Sequence, residues 1–379
     1  MFAPPPPAAR NGTPPSGRQA PGLDPGTALA RGRWVKWIGG ASNQDLAAIE
    51  DLAGVYSLAG VHCLDVAADP AVVAAARRGI AWAIERGARR PWLMVSLSDG
   101  ADPHFRKAWF DPGRCPAACP RPCERICPAQ AIPPAAAARG VLADRCYGCG
   151  RCLPACPHGL ISERDQLVED QAVAPLLAAL RPEAIELHTR IGRSRSFAAR
   201  LAQVRAAGLP LRRLAVSCGL EVEGQRAMAG PGDHGDAAAE AFAAELWDRF
   251  TQLRTAGFAP LWQLDGRPMS GDVGVGTARA AVRLLERVLP LLPPGPVQLA
   301  GGTNQATLGF VEALEERAAA AVAGVAFGSV ARVRLQNLLG QAQEGGLRLL
   351  DQPERRSAAL ALAGELVAPW LTRPMAERR

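Results

Sequence analysis

The sequence predicts an α/β fold, a (β/α)8 TIM-like barrel that carries a ferredoxin-like two-cluster insertion after its third strand. Eight short apolar runs predict buried strands, and most of them precede a stretch with helical periodicity. One interval, from Asp99 to Asp165, is far longer than the short loop that a barrel normally has there. A doubly wound open sheet is the alternative, because a count of βα units does not show closure.

The eight candidate strands share a run of apolar residues that ends in a glycine or a small polar residue. The first one is followed by Ser42, Asn43 and Asp45 as capping signals and then by a helical face that includes Leu46 and Ile49. The strands are WVKWIGG from 34, VHCLDVA from 61, PWLMVSLS from 91, AIELHT from 184, RLAVSCG from 213, APLWQLDG from 259, PVQLAGG from 296 and AGVAFGS from 323.

The chain divides into five predicted segments. Residues 1–32 hold eight prolines and five glycines, so we expect a disordered tail. Residues 33–100 form the first three βα units, and 101–164 form the insertion. Residues 165–345 complete the barrel, and 346–379 form a carboxyl-terminal helical extension. Because the insertion leaves the carboxyl end of the third strand, it is expected on the barrel face where ligands bind.

Composition excludes several classes of protein. The net charge of +7 is spread along the 379 residues without basic runs, so nucleic-acid binding is not favoured. No apolar run reaches 18 residues, so no membrane span is expected, and no secretory signal is seen. We therefore expect a cytoplasmic protein whose ten cysteines stay reduced and whose clustered cysteines bind metal. The isolated Cys63 and Cys218 lie in strand-like runs and are expected to be buried small hydrophobic residues.

The run CYGCGRCLPACP carries the strongest chemical signal. Cys146, Cys149, Cys152 and Cys156 are separated by two, two and three residues, and Pro157 follows. This is the bacterial ferredoxin spacing for a [4Fe-4S] cluster, in which the fourth cysteine ligates the other cluster of a pair. Zinc is the alternative, but zinc sites typically use two separated pairs of cysteines.

The run CPAACPRPCERICP supplies a second half with the same order of cysteines ending in Cys-Pro. Its members Cys115, Cys119, Cys123 and Cys127 are each separated by three residues, and the prolines between them exclude a continuous helix. By analogy with paired halves, Cys115, Cys119 and Cys123 would join Cys156, while Cys127 would join the second run. The wider gaps leave the first cluster open between a cubane, a three-iron form and a labile site. A radical S-adenosylmethionine enzyme needs gaps of three and then two, which these cysteines do not have.

Two strand ends predict a ligand site in the barrel itself. Gly301, Gly302 and Thr303 end the seventh strand, and Gly328 and Ser329 end the eighth. Many barrels bind a phosphate at these positions, so a phosphate-bearing ligand or a flavin is a candidate cofactor. Glycines also end strands for ordinary turn reasons.

Further polar residues are expected at the same face. The loop after the sixth strand brings Asp265 and Arg267, with Ser270 and Asp272, and is a candidate binding loop. Glu186 and His188 alternate along the fourth strand and Lys36 lies in the first, so these side chains are either acid-base groups or a structural polar layer.

The sequence also resembles the light-dependent period family, LdpA, of cyanobacteria. The likeness lies in the stretch from WVKWIGG to PAVVAAA, in the doubled cysteine region, in ELHTRIGRS and in DGRPMSGDVGVGTA, and it runs from about Trp34 to the mid-330s. The resemblance implies an iron-sulfur redox sensor that reports to the circadian clock and associates with clock proteins and an input histidine kinase. It implies a regulatory or electron-transfer protein rather than an enzyme.

The position of the insertion supports an alternative. If the clusters passed electrons from an electron-transfer partner to a flavin or small molecule in the barrel mouth, the protein would be an oxidoreductase.

Overall fold

Eight parallel strands form a closed barrel in the computed structural model, which describes residues 22–134, 140–220, 236–267 and 274–374. Going around the barrel, neighbouring strands begin at residues 34, 322, 297, 260, 213, 184, 92 and 63. The predicted barrel is confirmed, and closure excludes the open-sheet alternative. All eight predicted strands are present.

The strands are β1 Trp34–Gly40, β2 Cys63–Ala67, β3 Trp92–Ser98, β4 Arg106–Trp109, β5 Ser162–Asp165, β6 Ala184–His188, β7 Arg213–Cys218, β8 Pro260–Asp265, β9 Val297–Ala300 and β10 Val322–Phe327. The helices are α1 Pro25–Ala30, α2 Leu46–Leu58, α3 Pro70–Ile84, α4 Pro122–Ile126, α5 Cys152–Ala155, α6 Asp170–Leu180, α7 Ser194–Ala206, α8 Asp236–Ala256, α9 Arg279–Val288, α10 Thr307–Glu312, α11 Glu316–Ala321, α12 Ser329–Glu344 and α13 Pro353–Leu371. Short 3-10 turns lie at Pro103–Phe105, Pro112–Arg114, Val275–Ala278, Leu289–Leu291 and Leu349–Asp351.

Alternation along each strand separates two apolar layers. In β1, Val35 and Trp37 belong to the large core between the barrel and its helices. Trp34 belongs to a smaller cluster with Cys63 and Met94, which fills the amino-terminal end of the barrel interior. Cys63 and Cys218 are buried, as their sequence context predicts.

The prediction of a disordered tail up to residue 32 is wrong for its last part. Pro25–Ala30 is a helix that begins with Asp24 as its cap and a proline in its first turn. Leu29 is buried in the cluster at the amino-terminal end of the barrel, so burial stabilises a segment whose composition suggests disorder. Residues 1–21 lie outside the described part of the chain.

The insertion joins the barrel through a two-stranded stalk. β4 and β5 pair antiparallel, with Arg106 opposite Asp165 and Trp109 opposite Ser162. The cysteine-bearing residues lie between these two strands and form their own small core around Cys123, Cys146 and Cys152. The stalk therefore returns the chain close to the point where it left β3.

The carboxyl-terminal helix α13 packs against α2, β1 and α12. The side chain of Asp51 in α2 accepts hydrogen bonds from the backbone N–H groups of Leu349 and Leu350 and so fixes the turn that precedes α13. Within the described residues, no helix has both the length and the apolar character needed to cross a membrane.

His62 makes barrel stability depend on pH. Burial lowers its pKa from 6.5 to about 4, and its Nδ1 accepts a hydrogen bond from the backbone N–H of Val35. The folded protein therefore holds this imidazole neutral where the unfolded chain would protonate it, so stability is present above pH 6.5 and is lost as the pH falls towards 4. We expect the free energy of unfolding to fall by about 2 kcal/mol between pH 7 and pH 5 from this group.

The measurement is urea denaturation across that pH range for the wild type and for His62→Gln. The variant removes the titrating group, so its stability should vary less with pH. Parallel curves for the two proteins would contradict the assignment.

Candidate metal centres and barrel mouth

The two cysteine runs have matching local structures that are offset by 29 residues along the chain, from Cys123 to Cys152 and from Cys127 to Cys156. Each run contains a short helix, α4 or α5, that ends at the cysteine before proline. The N–H of Ala131 donates to Sγ of Cys127 at 3.2 Å, and the N–H of Leu160 donates to Sγ of Cys156 at 3.4 Å. The sequence-based prediction of two related halves thus has a counterpart in the backbone.

Left-handed residues recur at the same offset. Arg121 (φ 47°) corresponds to Gly150 (φ 72°), and Gln130 (φ 49°) corresponds to Gly159 (φ 61°). Non-glycine residues rarely adopt this conformation, so the first half keeps the loop shape at some conformational cost. The wider gaps between Cys115, Cys119 and Cys123 therefore alter the beginning of the first run, while its later part keeps the backbone conformation of the second run.

Four cysteines, Cys127, Cys146, Cys149 and Cys152, line one cavity of about 20 Å³ and are called the inner cysteine group. Cys127 comes from the first run and the other three from the second, which is the crossed set that the sequence suggests. The remaining wall is apolar and includes Ala108, Ile132 and Val141. The N–H of Ala108 donates to Sγ of Cys146 at 3.3 Å. Four thiols around a small apolar cavity with N–H donors fit an iron-sulfur cluster.

The other four cysteines, Cys115, Cys119, Cys123 and Cys156, are called the outer cysteine group. Arg121 donates to Sγ of Cys115 at 3.8 Å, and its guanidinium also acts on Cys123. Burial raises the pKa of Cys123, while the guanidinium of Arg121 lowers it and the charge of Cys156 raises it. Cys115, Cys119 and Cys156 are half-buried, and the loops at 116–118 and 157–159 are exposed.

Burial disfavours the thiolate form of two inner cysteines, Cys149 and Cys152. It raises the pKa of Cys149, and it raises the pKa of Cys152 to about 12, with neighbouring cysteines adding to the effect. Since a ligating sulfur must be a thiolate, metal binding at this site releases protons and grows stronger as the pH rises.

Gly148 allows the loop of the inner cysteine group to pack closely against the backbone of Pro103 and Arg106, which leads from the barrel into the insertion. Its φ is 77°, and a Cβ there would lie 2.2 Å from the carbonyl oxygen of Arg106 and 2.6 Å from that of Pro103. Both the conformation and the contact require glycine. This close approach explains why a glycine follows Cys146 and Tyr147 in the motif.

The carboxyl end of the barrel contains a cavity of about 110 Å³. All seven residues that the sequence predicts for a ligand in the barrel line it, namely Gly301, Gly302, Thr303, Gly328, Ser329, Asp265 and Arg267. Ser270 and Asp272 lie outside the described residues. Glu186 and His188 also line the cavity.

Lys36 lies below the cavity and forms ion pairs with Asp65 and Glu186. Ser96 donates to Asp65 at 2.7 Å, and Gln263 donates to Glu186 at 2.9 Å. Burial alone would lower the pKa of Lys36, but the two carboxylates raise it above its ordinary value. Lys36 thus belongs to a structural polar layer, which is one of the two interpretations of its sequence position.

His188 connects this layer to the insertion. Its Nε2 lies 3.1 Å from Glu186, and its ring packs 4.7 Å from the ring of His104. Burial alone would lower the pKa of His188, but Glu186 and Asp102 raise it to about 9. His104 Nδ1 in turn lies 2.7 Å from Asp102. Asp102, His104 and His188 hold donor atoms within 4.8 Å of one another, and these atoms are engaged in hydrogen bonds and ion pairs with protein groups.

Tyr147 lines both cavities and so lies between the inner cysteine group and the barrel mouth. Its hydroxyl is buried and has no hydrogen-bond partner among the described residues. The guanidinium of Arg332 lies 5.2 Å from its ring. The roles of Tyr147, Arg332, Asp102 and His104 could not be predicted from the sequence, because they depend on how the insertion docks on the barrel.

Comparisons with known proteins agree with the two-part structure. A model of the LdpA Fe-S cluster-binding domain matches residues 115–167, and a model of the light dependent period A C-terminal domain matches residues 176–369. A protein of Synechococcus elongatus, Light dependent period A, is 45% identical over 347 residues, which cover 90% of this chain and 92% of that protein.

Solved structures with a similar overall shape include two enzymes. Mycobacterium tuberculosis tryptophan synthase has a TM-score of 0.40 and 13% identity, covering 90% of this chain and 93% of that one. Plasmodium falciparum fructose-bisphosphate aldolase has a TM-score of 0.42 and 10% identity, covering 92% and 93%. With scores this low, the fold assignment rests on the closed strand order itself.

The crossed cysteine sets can be tested by serine replacement in protein purified without oxygen. Cys127→Ser and Cys152→Ser should remove the same electron paramagnetic resonance signal, since both line one cavity. Cys123→Ser and Cys156→Ser should alter the other signal. Cys218→Ser, a buried cysteine in β7, is the control and should keep both. If Cys127→Ser instead behaved like Cys123→Ser, each run would bind its own cluster and the crossed arrangement would be wrong.

The polar layer should matter strongly for stability. Lys36→Met would leave two buried carboxylates without their cation, so the free energy of unfolding should fall by roughly 3–5 kcal/mol. Adding Glu186→Gln should recover part of the loss. The control Arg78→Met breaks a half-exposed ion pair with Glu50 and should cost no more than about 1 kcal/mol. Urea denaturation measures all four proteins, and a Lys36→Met variant as stable as the wild type would refute the role.

Proposed function

The chain belongs to the light dependent period A family, and from this membership we propose that it is an iron-sulfur regulatory protein that signals cellular redox state to the circadian clock. The observation that supports the proposal most is the match of the Fe-S cluster-binding domain to residues 115–167, which include all eight clustered cysteines. The relative that is 45% identical over most of both chains supports the clock assignment by its name.

The proposal includes two [4Fe-4S] clusters, one held by the inner and one by the outer cysteine group. The cubane type is supported for the inner group by the ferredoxin spacing of its second run and by the single cavity that its four cysteines line. The cysteines of the first run in the outer group are spaced more widely than in ferredoxins. The proposal for this group therefore includes a three-iron form or a labile cluster as alternatives to the cubane. Each bound cluster would supply one-electron oxidation and reduction.

Protein groups around the cysteines would tune that chemistry. Residues 104–159 carry eight basic and three acidic side chains. Positive charge and the N–H donors to Cys127, Cys146 and Cys156 favour the reduced, more negative state of a bound cluster and so raise its potential. We place the protein in the cytoplasm, where reducing conditions keep the thiols available for ligation.

We propose that partners dock beside the outer group. The exposed side chains Arg114 and Arg125 lie next to its cysteines, and the exposed Trp109 and Ile126 offer apolar area. A positive patch with an exposed aromatic residue suits an acidic protein surface. Clock proteins and an input histidine kinase are the proposed partners for this surface, and an electron-transfer protein would use the same charges.

A second candidate function is that of a barrel oxidoreductase with the clusters as its electron relay. The observation that favours it is Tyr147, which lines both the inner cavity and the barrel mouth. A yellow chromophore that stays with the protein during anaerobic purification would support this function, because a flavin would then share the barrel with the clusters.

The signalling proposal predicts that binding to the purified input histidine kinase of the same organism depends on oxidation state. We expect the affinity to differ between dithionite-reduced and oxidised protein and to fall when Arg114→Gln and Arg125→Gln are combined. The matched control combines Arg205→Gln and Arg254→Gln, exposed residues near the carboxyl ends of α7 and α8 on the opposite barrel face, and should bind as the wild type does. Equal binding in both oxidation states would refute signalling by redox state.

A further inference from the structure

A buried arginine at the barrel mouth has no counter-ion in the described protein. Arg332 lines the cavity, is only 7% exposed, donates to the carbonyl oxygen of Gly39 and faces the ring of Tyr147. It forms no ion pair with a carboxylate of the described residues. Burial lowers its pKa, and Asp45, which opposes this shift, lies beyond ion-pair distance. Buried charges in proteins are normally paired, because the loss of hydration makes an unpaired charge unfavourable. The position therefore calls for an anion that the chain itself does not supply.

Backbone donors at the same end of the cavity suit an anion. The 16-residue helix α12 begins after Gly328 without a side-chain cap, and Gly328, Ser329 and Val330 all line the cavity. The N–H groups of Ala331 and Arg332 donate to the carbonyl of Gly328, which leaves those of Ser329 and Val330 without a helical partner. The helix dipole adds partial positive charge there. The end of β10 is one of the places where barrels bind phosphate.

The loop after β9 completes this end. Gly301 (φ 67°) and Gly302 (φ 94°) adopt left-handed conformations. A Cβ on Gly302 would lie 2.9 Å from the carbonyl oxygen of Thr277. The hydroxyl of Thr303 is engaged with the carbonyl of Ala326, which ties this loop to β10. The two strand ends that the sequence singled out thus form one wall with Arg332.

The opposite wall of the cavity is acidic rather than basic. Glu186, His188, Gln263 and Asp265 line it, and Asp265 accepts from Ser217 at 2.5 Å and from Gln263 at 3.2 Å. Burial raises the pKa of Asp265 to about 6, with Glu186 adding to the effect. The carboxylates here disfavour a second anion and can accept a hydrogen bond from a hydroxyl, and the imidazole of His188 can donate one to a carbonyl.

Size limits the ligand further. A cavity of about 110 Å³ has room for roughly seven to eleven waters, and so for a ligand of about ten non-hydrogen atoms. A flavin mononucleotide is several times larger than that. Tyr147, whose buried hydroxyl has no partner among the described residues, also lines this cavity.

We propose that the barrel mouth binds a small phosphate monoester that carries a hydroxyl or carbonyl group. Its phosphate lies against Arg332 and the first N–H groups of α12, and its other end faces His188 and Asp265. The proposal goes beyond redox signalling and does not depend on it, because it gives the chain a metabolite-binding site in addition to its metal centres.

The test is isothermal titration calorimetry on the full-length, anaerobically purified protein. Glycerol 3-phosphate and dihydroxyacetone phosphate should each bind with one site per chain. Glycerol should show no binding, since it lacks the anion, and inorganic phosphate should bind more weakly than the esters, since it lacks the second end.

Two variants, each with a control variant, locate the site. Ser329→Asp places a negative charge at the start of α12, where acids stabilise a helix, so the variant should fold while its affinity for the esters falls at least about tenfold. Ser329→Ala should bind within about threefold of the wild type, because the backbone carries the contact. Arg332→Gln should also lose at least about tenfold, whereas Arg334→Gln on the same helix should not.

Several results would overturn the proposal. Absence of ester binding would do so, as would equal ester affinity in the wild type and Ser329→Asp. Inorganic phosphate that binds as tightly as the esters would remove the argument for the second end. Flavin mononucleotide that binds more tightly than glycerol 3-phosphate, and that Ser329→Asp excludes, would identify the occupant as a flavin instead.

Discussion

Parallel strand direction is the constraint on which the rest of this structure depends. In a closed barrel of eight parallel strands, every chain segment that follows a strand begins at the same rim. The insertion after β3, the glycines after β9 and β10 and the residue Asp265 at the end of β8 therefore meet, although they are far apart in the sequence. One rim thus carries both the metal centres and a cavity.

The ion pairs inside the barrel determine which kind of ligand can bind at that rim. Lys36 stands between Asp65 and Glu186 in a space that water does not reach, and its cation is committed to these two carboxylates. Glu186 then holds His188, which packs on His104 from the insertion. The acidic wall of the mouth is therefore supported by the structural layer beneath it, while the basic wall at Arg332 has no such support and is open to an external anion.

Most of the fold could be predicted from sequence, because buried parallel strands are continuous apolar runs and all eight were visible as such. The cysteine sets could be suggested, because spacing and the Cys-Pro ending reflect local wrapping of a cluster. The helix at Pro25–Ala30 could not, since its stability comes from the burial of Leu29 against distant strands rather than from composition. Tyr147 and Arg332 were missed for the same reason, as their contact joins an insertion loop to a helix almost two hundred residues later.

Tyr147 makes the two sites physically dependent on each other. Its backbone lies between two inner cysteines, and its side chain forms a wall of the barrel cavity and contacts Arg332. A ligand that packs against Tyr147 and neutralises Arg332 would hold the loop of Cys146 and Cys149 in the conformation that ligates a cluster. By thermodynamic reciprocity, a cluster that orders this loop would strengthen binding in the mouth to the same degree. In a redox-signalling protein built this way, metabolite occupancy and cluster occupancy would be two inputs to one conformational equilibrium, because both act on the same side chain.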